Sequence, residues 1–585
     1  MTNEAGTSTC TKYVMVKNTT PVVDFSVTPS AIILGEKIFL TDQTRYSPTK
    51  WMWTISNERH NVGINGQNYA YTPKAPGVYD VTLTATNEVG TGTKTVKRAF
   101  MVSNADPQNG LNFAGNGEQV SFNSPVSSSL KAFTIDYWLF PYKVDGAANI
   151  SSEDGVFKMS TNANGETSVV LNGKTVNSGE GFVIPNEWHH YALTCKAGTV
   201  TFYRDGEKFA QPSARLSISS PAWTGLVTIG DTDTPFSGMI DEFKFWNKSL
   251  TIDELQATCN APIANVDSMK ANGGLVVYYN FNQSTGNVKC LTDDQYTGKR
   301  QGFGPDGDAW ASSLGVFTLD FSAKAAPKDV SADYLTNYKA PFFHTATSVN
   351  STNYVSRFYE LQTDESYSKW IVENTVTDPS TNVTTGVHVD TYFNSDLSCT
   401  TGNEGFATSI NDQRAYQTIT LPAGRYKLSV TPNASHFAST GSYIVVNQGD
   451  TLVGNQGLNN AIAYTALDDK ELTFDILEDG TIVSLGLIFN MEKNNSVAIE
   501  ALSLTQYPFE FINADDPSAV EDITNTDVAT TFAVENGGIR CTQAGKLTIV
   551  NLQGIKIFSA HANSGLFISL PAGIYIVNST KVEVK

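Results

Sequence analysis

Two acidic residues stand side by side in residues 236–250, FSGMIDEFKFWNKSL, a stretch that otherwise predicts a β-strand. Asp241 and Glu242 are residue types that serve glycosidases as nucleophile and acid/base, and that bind calcium through carboxylate oxygens. Neighbouring residues of a strand point to opposite faces, so these two carboxylates cannot flank one glycosidic bond. We therefore expect a structural role for Asp241, with a calcium ligand as the alternative, and no catalytic pair.

Two histidines form the other candidate pair for catalysis. His189 and His190 follow Trp188 in a predicted strand, so one should face inward and the other outward. No nucleophile stands at a spacing that would make a hydrolase with them. We assign no catalytic residue and predict that the chain is not an enzyme. Carboxylates brought together from distant loops stay open as an alternative.

An acidic loop supplies the remaining metal candidates. Asp231 and Asp233 lie in the sequence GDTDTP, which is typical of a loop, and loop oxygens are what calcium binds in proteins. Asp231, Asp233 and Asp241 are the candidate metal ligands of the chain. An ordinary acidic turn is the alternative for the two loop residues.

Composition excludes several classes of function. The 585 residues carry a net charge of -19 and no basic stripe, which argues against a nucleic-acid partner. The apolar runs are shorter than the roughly 20 residues that span a bilayer, so no transmembrane segment is expected in this chain. The first residues do not resemble a secretion signal, and a lipid anchor in the full precursor is compatible with this start. Among six cysteines none forms a CxxC pair, and Cys259 and Cys290 are either paired or two buried thiols.

Alternation of apolar and polar residues dominates the chain, which predicts an all-β protein with several β-sandwich or jelly-roll domains in tandem. One short helix is expected at residues 251–257, where Thr251 can cap and Glu254 completes a capping box. Short polar segments rich in Pro, Gly and Ala are the predicted linkers that divide the chain into modules. The predicted parts are an N-terminal tail (1–20) and four modules (21–103, 106–322, 328–512 and 519–585).

The first module resembles a PKD domain, a small immunoglobulin-like sandwich. The resemblance rests on the segment WMWTI at residues 51–55 and on APGVYDVTLTATNEVG at residues 75–90. It implies a sandwich that commonly serves as a rigid spacer. The usual Asp-Phe-Gly-Asp-Gly after the tryptophan is replaced by Thr-Ile-Ser-Asn at residues 54–57.

The second module resembles a laminin G-like, concanavalin A-type jelly roll of the pentraxin-related kind. Its signature includes Trp-x-His at residues 188–190, a Tyr-x-Asp-Gly hairpin at 203–206 and Gly-x-Ile-Asp-Glu at 238–242. The resemblance implies calcium as a cofactor, with Asp231, Asp233 and Asp241 as candidate ligands, and sugar binding as a further property to test. Trp310, in the polar sequence GPDGDAW, is a candidate for stacking on a sugar, with a plug against the sandwich as the alternative.

The third module resembles a galactose-binding-like jelly roll found, without assigned function, in surface proteins of Gram-negative gut bacteria. The segment YQTITLPAGRY at residues 416–426 carries the match and predicts a hairpin with its turn at Pro-Ala-Gly. Such sandwiches usually bind ligands at loops on one end. The loop candidates are Tyr392, Phe393 and His436.

The fourth module is similar to small C-terminal sandwiches that direct secretion or surface attachment in the same bacteria, with a plain structural end-module as the alternative. Together the resemblances imply a non-catalytic binding protein, exported to the outer-membrane surface or secreted by a Gram-negative bacterium. Its expected partner is a glycan or a host or cell-surface glycoprotein. The alternatives are a protein-binding adhesin or surface-assembly component and, least favoured, a glycoside hydrolase.

Overall fold

The computed structural model describes most of the chain as β-strands joined by short loops. The described residues are 2–3, 6–7, 19–212, 214–216, 219–349, 357–377, 384–402, 406, 408–438, 441–492, 494–513, 532–535, 538–542, 545–551, 556–562, 567–570, 573–578 and 580–584. No helix within these ranges is long and apolar enough to cross a membrane. The predicted all-β class is confirmed.

The chain divides into two compact units. One contains Met1–Trp51, Gln67–Ser322 and Asp522–Lys585, and the other contains Met52–Gly66 and Ala323–Glu521. The four predicted modules and their boundaries stay predictions, and the boundary at residue 519 lies outside the described residues.

Strands of the first module build two layers around apolar residues such as Tyr79 and Phe100, whose stacked rings have centroids 5.0 Å apart. Most of the predicted N-terminal tail lies outside the described residues. The described strands up to residue 103 are Thr2–Asn3, Gly6–Thr7, Phe25–Thr28, Ala31–Ile33, Ile38–Asp42, Lys50–Ser56, Asn61–Asn65, Asn68–Tyr71, Gly77–Asn87 and Gly90–Ser103.

The second module is a sandwich of two antiparallel sheets that share one apolar core. In spatial order, the first sheet contains Glu207–Ala210, Thr199–Arg204, His189–Lys196, Ala132–Pro141, Ser237–Trp246, Asn109–Ala114 and Trp310–Ser312, with Leu275–Tyr279 also paired to Ser237–Trp246. The second sheet contains Lys174–Asn177, Thr167–Leu171, Phe157–Thr161, Ile150–Ser152, Leu226–Ile229, Gln119–Asn123 and Lys299–Gln301. A further strand is Leu314–Phe317.

The predicted helix of the second module is confirmed as Ile252–Cys259. Thr251 caps it, and both hydrogen bonds of the capping box with Glu254 are present. Cys259 and Cys290 are both buried free thiols, so the second of the two alternatives holds. The other helical turns are Val266–Ser268, Met269–Gly273, Asp294–Tyr296 and Asp306–Ala309.

The third module also contains two antiparallel sheets, and the predicted hairpin at residues 416–426 is wrong. Ile410–Leu421 pairs with Trp370–Glu373 and Thr481–Met491, whereas Gly424–Phe437 belongs to the other sheet. The Pro-Ala-Gly turn therefore carries the chain from one sheet to the other. Alternation locates a strand, but it does not say which strand lies beside it.

The larger sheet of the third module supports the residues discussed below. In spatial order it contains His344–Ser348, Phe358–Leu361, Val387–Asp390, Asp396–Thr400, Ser496–Tyr507, Gly424–Phe437 and Glu471–Ile476, with Lys328–Asp329 also paired to Ser496–Tyr507. The smaller sheet contains Trp370–Glu373, Ile410–Leu421, Thr481–Met491, Tyr443–Gln448 and Ala463–Ala466. The remaining elements are Val376–Thr377, Thr384–Thr385 and the short helices Ser331–Tyr334, Thr391–Phe393, Asn455–Asn460 and Leu467–Asp469.

Two small sheets form the C-terminal part around Ile539, Ile549 and Val577. The first contains Phe532–Glu535, Gly538–Cys541 and Phe567–Ser569, and the second contains Lys556–Ala562, Gly545–Asn551, Gly573–Val577 and Thr580–Val584.

A strand at the end of the third module pairs with an early hairpin of the chain. Glu510–Asn513 runs parallel to Asn61–Asn65, and Phe509 packs against Gly63. A Cβ at Gly63 would lie 2.4 Å from Cζ of Phe509, whose ring the Arg425 guanidinium covers at 4.5 Å. The absent side chain therefore makes room for the ring.

We expect Gly63→Ala to weaken the docking of this strand by about 1–3 kcal/mol, because the Phe509 ring must shift. Hydrogen exchange of the amides at residues 510–513 should be faster in the variant. Gly307→Ala is the control, since a Cβ there meets nothing within 4 Å. Unchanged exchange at residues 510–513 in Gly63→Ala would contradict the packing argument.

Candidate functional site

The two adjacent carboxylates of the second module lie on one side of their strand, contrary to the prediction. Ile240 and Phe243 both belong to the sandwich core, so the two residues between them both point away from it. Glu242 has a φ of 53°, and the pairing with Ala132–Pro141 shifts by one residue here. This β-bulge breaks the alternation from which the prediction was derived.

These carboxylates are closed off from solvent. Asp241 and Glu242 are each 1% exposed, so neither faces a cleft. The Tyr278 hydroxyl donates to Glu242 at 2.7 Å, and Lys244 Nζ lies 3.4 Å from the same carboxylate. Lys244 Nζ also lies 3.5 Å from Asp136 Oδ2, to which His190 Nε2 is bonded at 3.2 Å. We call Asp136, His190, Asp241, Glu242 and Lys244 the buried ionic network.

The buried ionic network contains three carboxyl groups and one lysine, so the lysine cannot neutralise all three. Burial raises the pKa of Glu242, although the Lys244 ammonium opposes the rise. Burial also acts to raise the pKa of Asp136, but Lys244 and the bonds from His190 and Trp246 outweigh it, and the pKa is lowered. The lysine therefore holds a carboxylate ionised where burial alone would neutralise it.

Asp241 differs from the other members because its partner is a hydroxyl group. Ser313 Oγ lies 2.6 Å from Asp241 Oδ2 and 2.7 Å from the Pro107 carbonyl oxygen. A hydroxyl has one proton, so it can donate to only one of these oxygens, and a protonated Asp241 can donate the second bond. Burial, with the Glu242 charge beside it, raises the pKa of Asp241 well above its usual range. These contacts are those of a structural carboxyl group.

The candidate calcium ligands do not meet at one point. Asp231 Oδ1 accepts from the backbone N–H groups of Asp233 and Thr234, which is the geometry of an acidic turn. Asp241 is buried against Ser313. Within the described ranges, no three His, Cys, Asp or Glu side chains are grouped so that they could hold a metal ion. Calcium stays a prediction, and no step is derived through it.

Two aromatic candidates of the second module lie inside the protein. Trp310 is 7% exposed within the sandwich core, and the Arg300 guanidinium lies 5.2 Å from its ring. Trp310 therefore offers no exposed ring face for stacking on a sugar, and the alternative, a plug against the sandwich, holds. His189 and His190 take opposite faces of their strand, as alternation predicted. His190 is fully buried on the face of the buried ionic network, whereas His189 is partly exposed and bonded through Nδ1 to Asp205 Oδ2 at 2.6 Å.

Three candidates of the third module come together. Tyr392 and Phe393 occupy the short helix Thr391–Phe393 that connects Val387–Asp390 to Asp396–Thr400, with ring centroids 5.0 Å apart. The Phe393 ring lies 4.2 Å from that of His436, which belongs to the strand Gly424–Phe437 and not to a loop as predicted. We call Tyr392, Phe393 and His436 the aromatic cluster.

An arginine that the sequence did not single out completes the aromatic cluster. The Arg357 guanidinium lies 5.1 Å from the Tyr392 ring centroid and 5.9 Å from that of Phe393. It is held by Asp390, whose Oδ2 lies 3.1 Å from Nη2. Asp390 Oδ1 accepts from the Tyr392 N–H at 3.0 Å, so one carboxylate fixes both the guanidinium and the turn. Because Arg357 is separated from Tyr392 by 35 residues, sequence spacing gives no sign of this contact.

The accessible surface of the aromatic cluster is mainly that of Tyr392. This side chain is 72% exposed, whereas Phe393 and His436 are partly buried. Beside them, the Asn433 amide donates to Asp396 Oδ2 at 2.8 Å. The arrangement offers an apolar ring face together with amide and carboxylate groups, which is the combination that ligand sites use for contact area and orientation.

Comparison with known proteins identifies three regions. Residues 23–100 match the PKD domain model, residues 114–256 match the concanavalin A-like lectin/glucanases superfamily, and residues 364–499 match a domain of unknown function (DUF5013). Among curated proteins, no sequence matches the chain significantly.

Several solved structures are similar to parts of the chain. A Bacteroides ovatus protein, to which carbohydrate binding is provisionally assigned, is 18% identical, with 52% of this chain and 99% of that chain covered and a TM-score of 0.30. A heptameric pentraxin from Limulus polyphemus is 16% identical, with coverages of 26% and 84% and a TM-score of 0.23. Domain 4 of an extracellular GH43 arabinanase from Geobacillus stearothermophilus, solved with arabinotriose, is 15% identical, with coverages of 35% and 86% and a TM-score of 0.20.

The predicted resemblances of the first and second modules are thereby confirmed. The chain is a multidomain all-β protein that carries a PKD domain and a concanavalin A-like domain, followed by a domain of the unassigned family.

Proposed function

We propose that this protein is a non-catalytic glycan-binding protein, exported to the outer-membrane surface or secreted by a Gram-negative bacterium, and that it binds through the aromatic cluster of its third module. The observation that carries the proposal is the convergence of Tyr392, Phe393 and His436 on Arg357. An exposed aromatic ring offers a flat apolar surface on which the C–H face of a sugar can stack. The guanidinium and the Asp390 carboxylate hold that ring in place.

Two further observations support the proposal. The adjacent carboxylates that could have been a hydrolytic pair are buried and bonded within the protein, which favours binding without catalysis. Residues 114–256 match a superfamily of lectins and glucanases. Lectins bind carbohydrate and glucanases cleave it, so both kinds of protein in this superfamily recognise carbohydrate.

The proposal predicts that Tyr392→Ala weakens glycan binding by about tenfold or more, because truncation of a central aromatic contact residue has effects of this size. The full chain should be screened on a glycan array, and the strongest hits titrated against both proteins. Tyr367→Ala is a matched control, since Tyr367 is 63% exposed in the same module but outside the cluster. Both variants should keep the wild-type melting temperature, because neither side chain is packed in a core.

Several outcomes would overturn the proposal. Release of reducing ends from a polysaccharide would contradict the absence of catalysis, and a blank array would contradict glycan binding. Equal losses in Tyr392→Ala and Tyr367→Ala would remove the aromatic cluster as the site. Undiminished binding to a glycoprotein after its deglycosylation would favour the protein-binding adhesin. Titrations with calcium and with a chelator test the predicted cofactor in the same experiment.

A further inference from the structure

A row of polar residues lies on the outer face of the hairpin that carries the aromatic cluster. His388 is paired with Ser398 across the hairpin, and Asp390 is paired with Asp396. The alternating residues between them lie in the module's apolar core. These core residues are Val387, Val389, Leu397 and Cys399. We call His388, Asp390, Asp396 and Ser398 the polar strip.

The polar strip is buried although it faces away from the core. His388, Asp396 and Ser398 are at most 2% exposed. Within the described part of the chain, three of their polar atoms have no hydrogen-bond partner: His388 Nε2, Asp396 Oδ1 and Ser398 Oγ. Nδ1 of His436, in the adjoining aromatic cluster, is likewise unpartnered there.

Buried polar atoms without partners are rare and unfavourable, and each one calls for a specific explanation. Three of them belong to residues on one face of a single hairpin, where His388 is paired with Ser398 and Asp390 with Asp396. Asp396 also binds Asn433, which stands three residues before His436, so the strip and the aromatic cluster are continuous. A ligand that supplies hydrogen-bonding groups at this place would satisfy several atoms at once.

The chemistry of the free atoms indicates which groups would satisfy them. A carboxylate oxygen only accepts, a hydroxyl both donates and accepts, and a neutral imidazole nitrogen does one or the other. Sugar hydroxyl groups can serve all three. Burial lowers the pKa of His388 to about 4, so this ring stays neutral at physiological pH. Its Nδ1 donates to the Gly386 carbonyl oxygen, so Nε2 can accept a hydrogen bond from a hydroxyl group.

Charge at the site disfavours an anionic ligand. Asp390 and Asp396 stand opposite each other, and the Arg357 guanidinium nearby is already bound to Asp390. Burial, together with the charges of Glu500 and Asp390, raises the pKa of Asp396, which reflects an environment unfavourable to negative charge. Arg357 Nε has no partner among the described residues, but two carboxylates stand against this one guanidinium, so a sugar carboxylate or sulfate would add a further negative charge to a site that already holds more acidic than basic groups.

Resting on the proposed function, we infer that the ligand is an uncharged glycan, which stacks on Tyr392 and whose hydroxyl groups donate hydrogen bonds to Asp396 in the polar strip. His388, Ser398 and His436 complete the set of hydrogen bonds. Because the free atoms are buried, ligand entry requires side chains of the site to turn aside. The Phe358 and Phe406 rings pack against His388, with ring centroids 5.1 and 5.2 Å away, and are the side chains that would move.

The test compares neutral disaccharides, such as lactose and cellobiose, with sialylated, sulfated and uronic-acid relatives on the array and by titration calorimetry with the full chain. We expect binders among the neutral members, with charged relatives at least about tenfold weaker. Asp396→Asn should weaken the binding of neutral glycans about tenfold, since it removes the negatively charged acceptor. The difference in affinity between neutral and charged glycans should therefore become smaller. Ser398→Ala should weaken them by a smaller factor without loss of melting temperature, because Ser398 Oγ has no partner to lose.

The outcomes separate this inference from the proposed function. If Tyr392→Ala abolishes binding while Asp396→Asn and Ser398→Ala bind as wild type, the protein binds glycans but the polar strip is not part of the site. A preference for charged glycans would also overturn the inference and leave the proposed function standing. If no glycan of either kind binds, both are wrong. The loss of affinity in Asp396→Asn can be interpreted only if this variant is folded, which an unchanged melting temperature would show. If Asp396→Asn is not folded, the affinity of Ser398→Ala tests the inference independently.

Discussion

Replacement of Lys244 by alanine is expected to destabilise the second module by about 3–5 kcal/mol, because removing one partner of a buried ion pair leaves charge without compensation. Lys244 is fully buried between Asp136 and Glu242. Its removal would leave two carboxylates in a site where burial acts against their ionised forms. Calorimetry of the full chain measures the change as a lower melting temperature of the transition that contains this module.

The sign of the pH dependence makes the Lys244 prediction specific. With Lys244 present, the pKa of Asp136 is lowered, so its contribution to stability is present above its unfolded pKa and fades as the pH falls. Without Lys244, burial would raise the pKa of Asp136 and raise that of Glu242 further. The variant would then gain stability relative to wild type as the pH falls and these groups take up protons. The difference between the two proteins should therefore be larger at pH 7 than at pH 4.

Lys248→Ala is the matched control for this experiment. Lys248 pairs with Glu254 at 2.8 Å, and both side chains are more than one third exposed. Pairs of this kind contribute about 1 kcal/mol or less. Equal losses of stability in the two lysine variants would contradict the role assigned to the buried ionic network. A loss of stability in Lys244→Ala that becomes larger at acidic pH would contradict it as well.

Gly486→Ala is expected to destabilise the third module by about 3 kcal/mol, at the upper end of what overpacking costs. Gly486 lies in the central strand of the smaller sheet, directly opposite Tyr416. A Cβ at this position would lie 2.2 Å from the Ala415 carbonyl oxygen and 2.5 Å from Tyr416 Cα. Both are backbone atoms, so no side-chain rotation can relieve the contact, and the strands must separate.

The stability of the third module should be followed by chemical denaturation of the full chain with tryptophan fluorescence, since Trp370 is buried in that module. Gly307→Ala serves as the control, because its added methyl group meets no atom within 4 Å. A Gly486→Ala protein as stable as wild type would show that the two strands can move apart without loss. Glycan binding by Gly486→Ala should fall only to the extent that the module is unfolded, since Gly486 is not part of the aromatic cluster.

Local patterns in the sequence predicted the local structure well where the interactions are themselves local. The alternation of apolar residues gave the all-β class, and the capping box at Thr251 and Glu254 gave the helix Ile252–Cys259. Both patterns depend on residues within a few positions of one another. The segments that resemble PKD and laminin G-like domains likewise lie in the regions where the family models match.

The same local reasoning failed where strand partners or bulges decide the outcome. The segments on either side of Pro422 alternate as a hairpin should, but they pair in different sheets. Alternation predicts Asp241 and Glu242 on opposite faces of their strand, but the bulge at Glu242 turns both side chains away from the core. A bulge depends on the register between strands about 100 residues apart in the chain, and sequence alternation contains no information about that register.

By itself, the sequence determined that this chain folds into β-sandwiches and which residues were candidates for binding, and its net charge of -19 argued against a nucleic-acid partner. Only the tertiary structure decided among those candidates. Trp310 is buried in a core, whereas Tyr392, Phe393 and His436 meet beside Arg357. The physical reason is that burial and contact are set by which strands lie side by side, and in a β-sandwich those strands are distant in sequence.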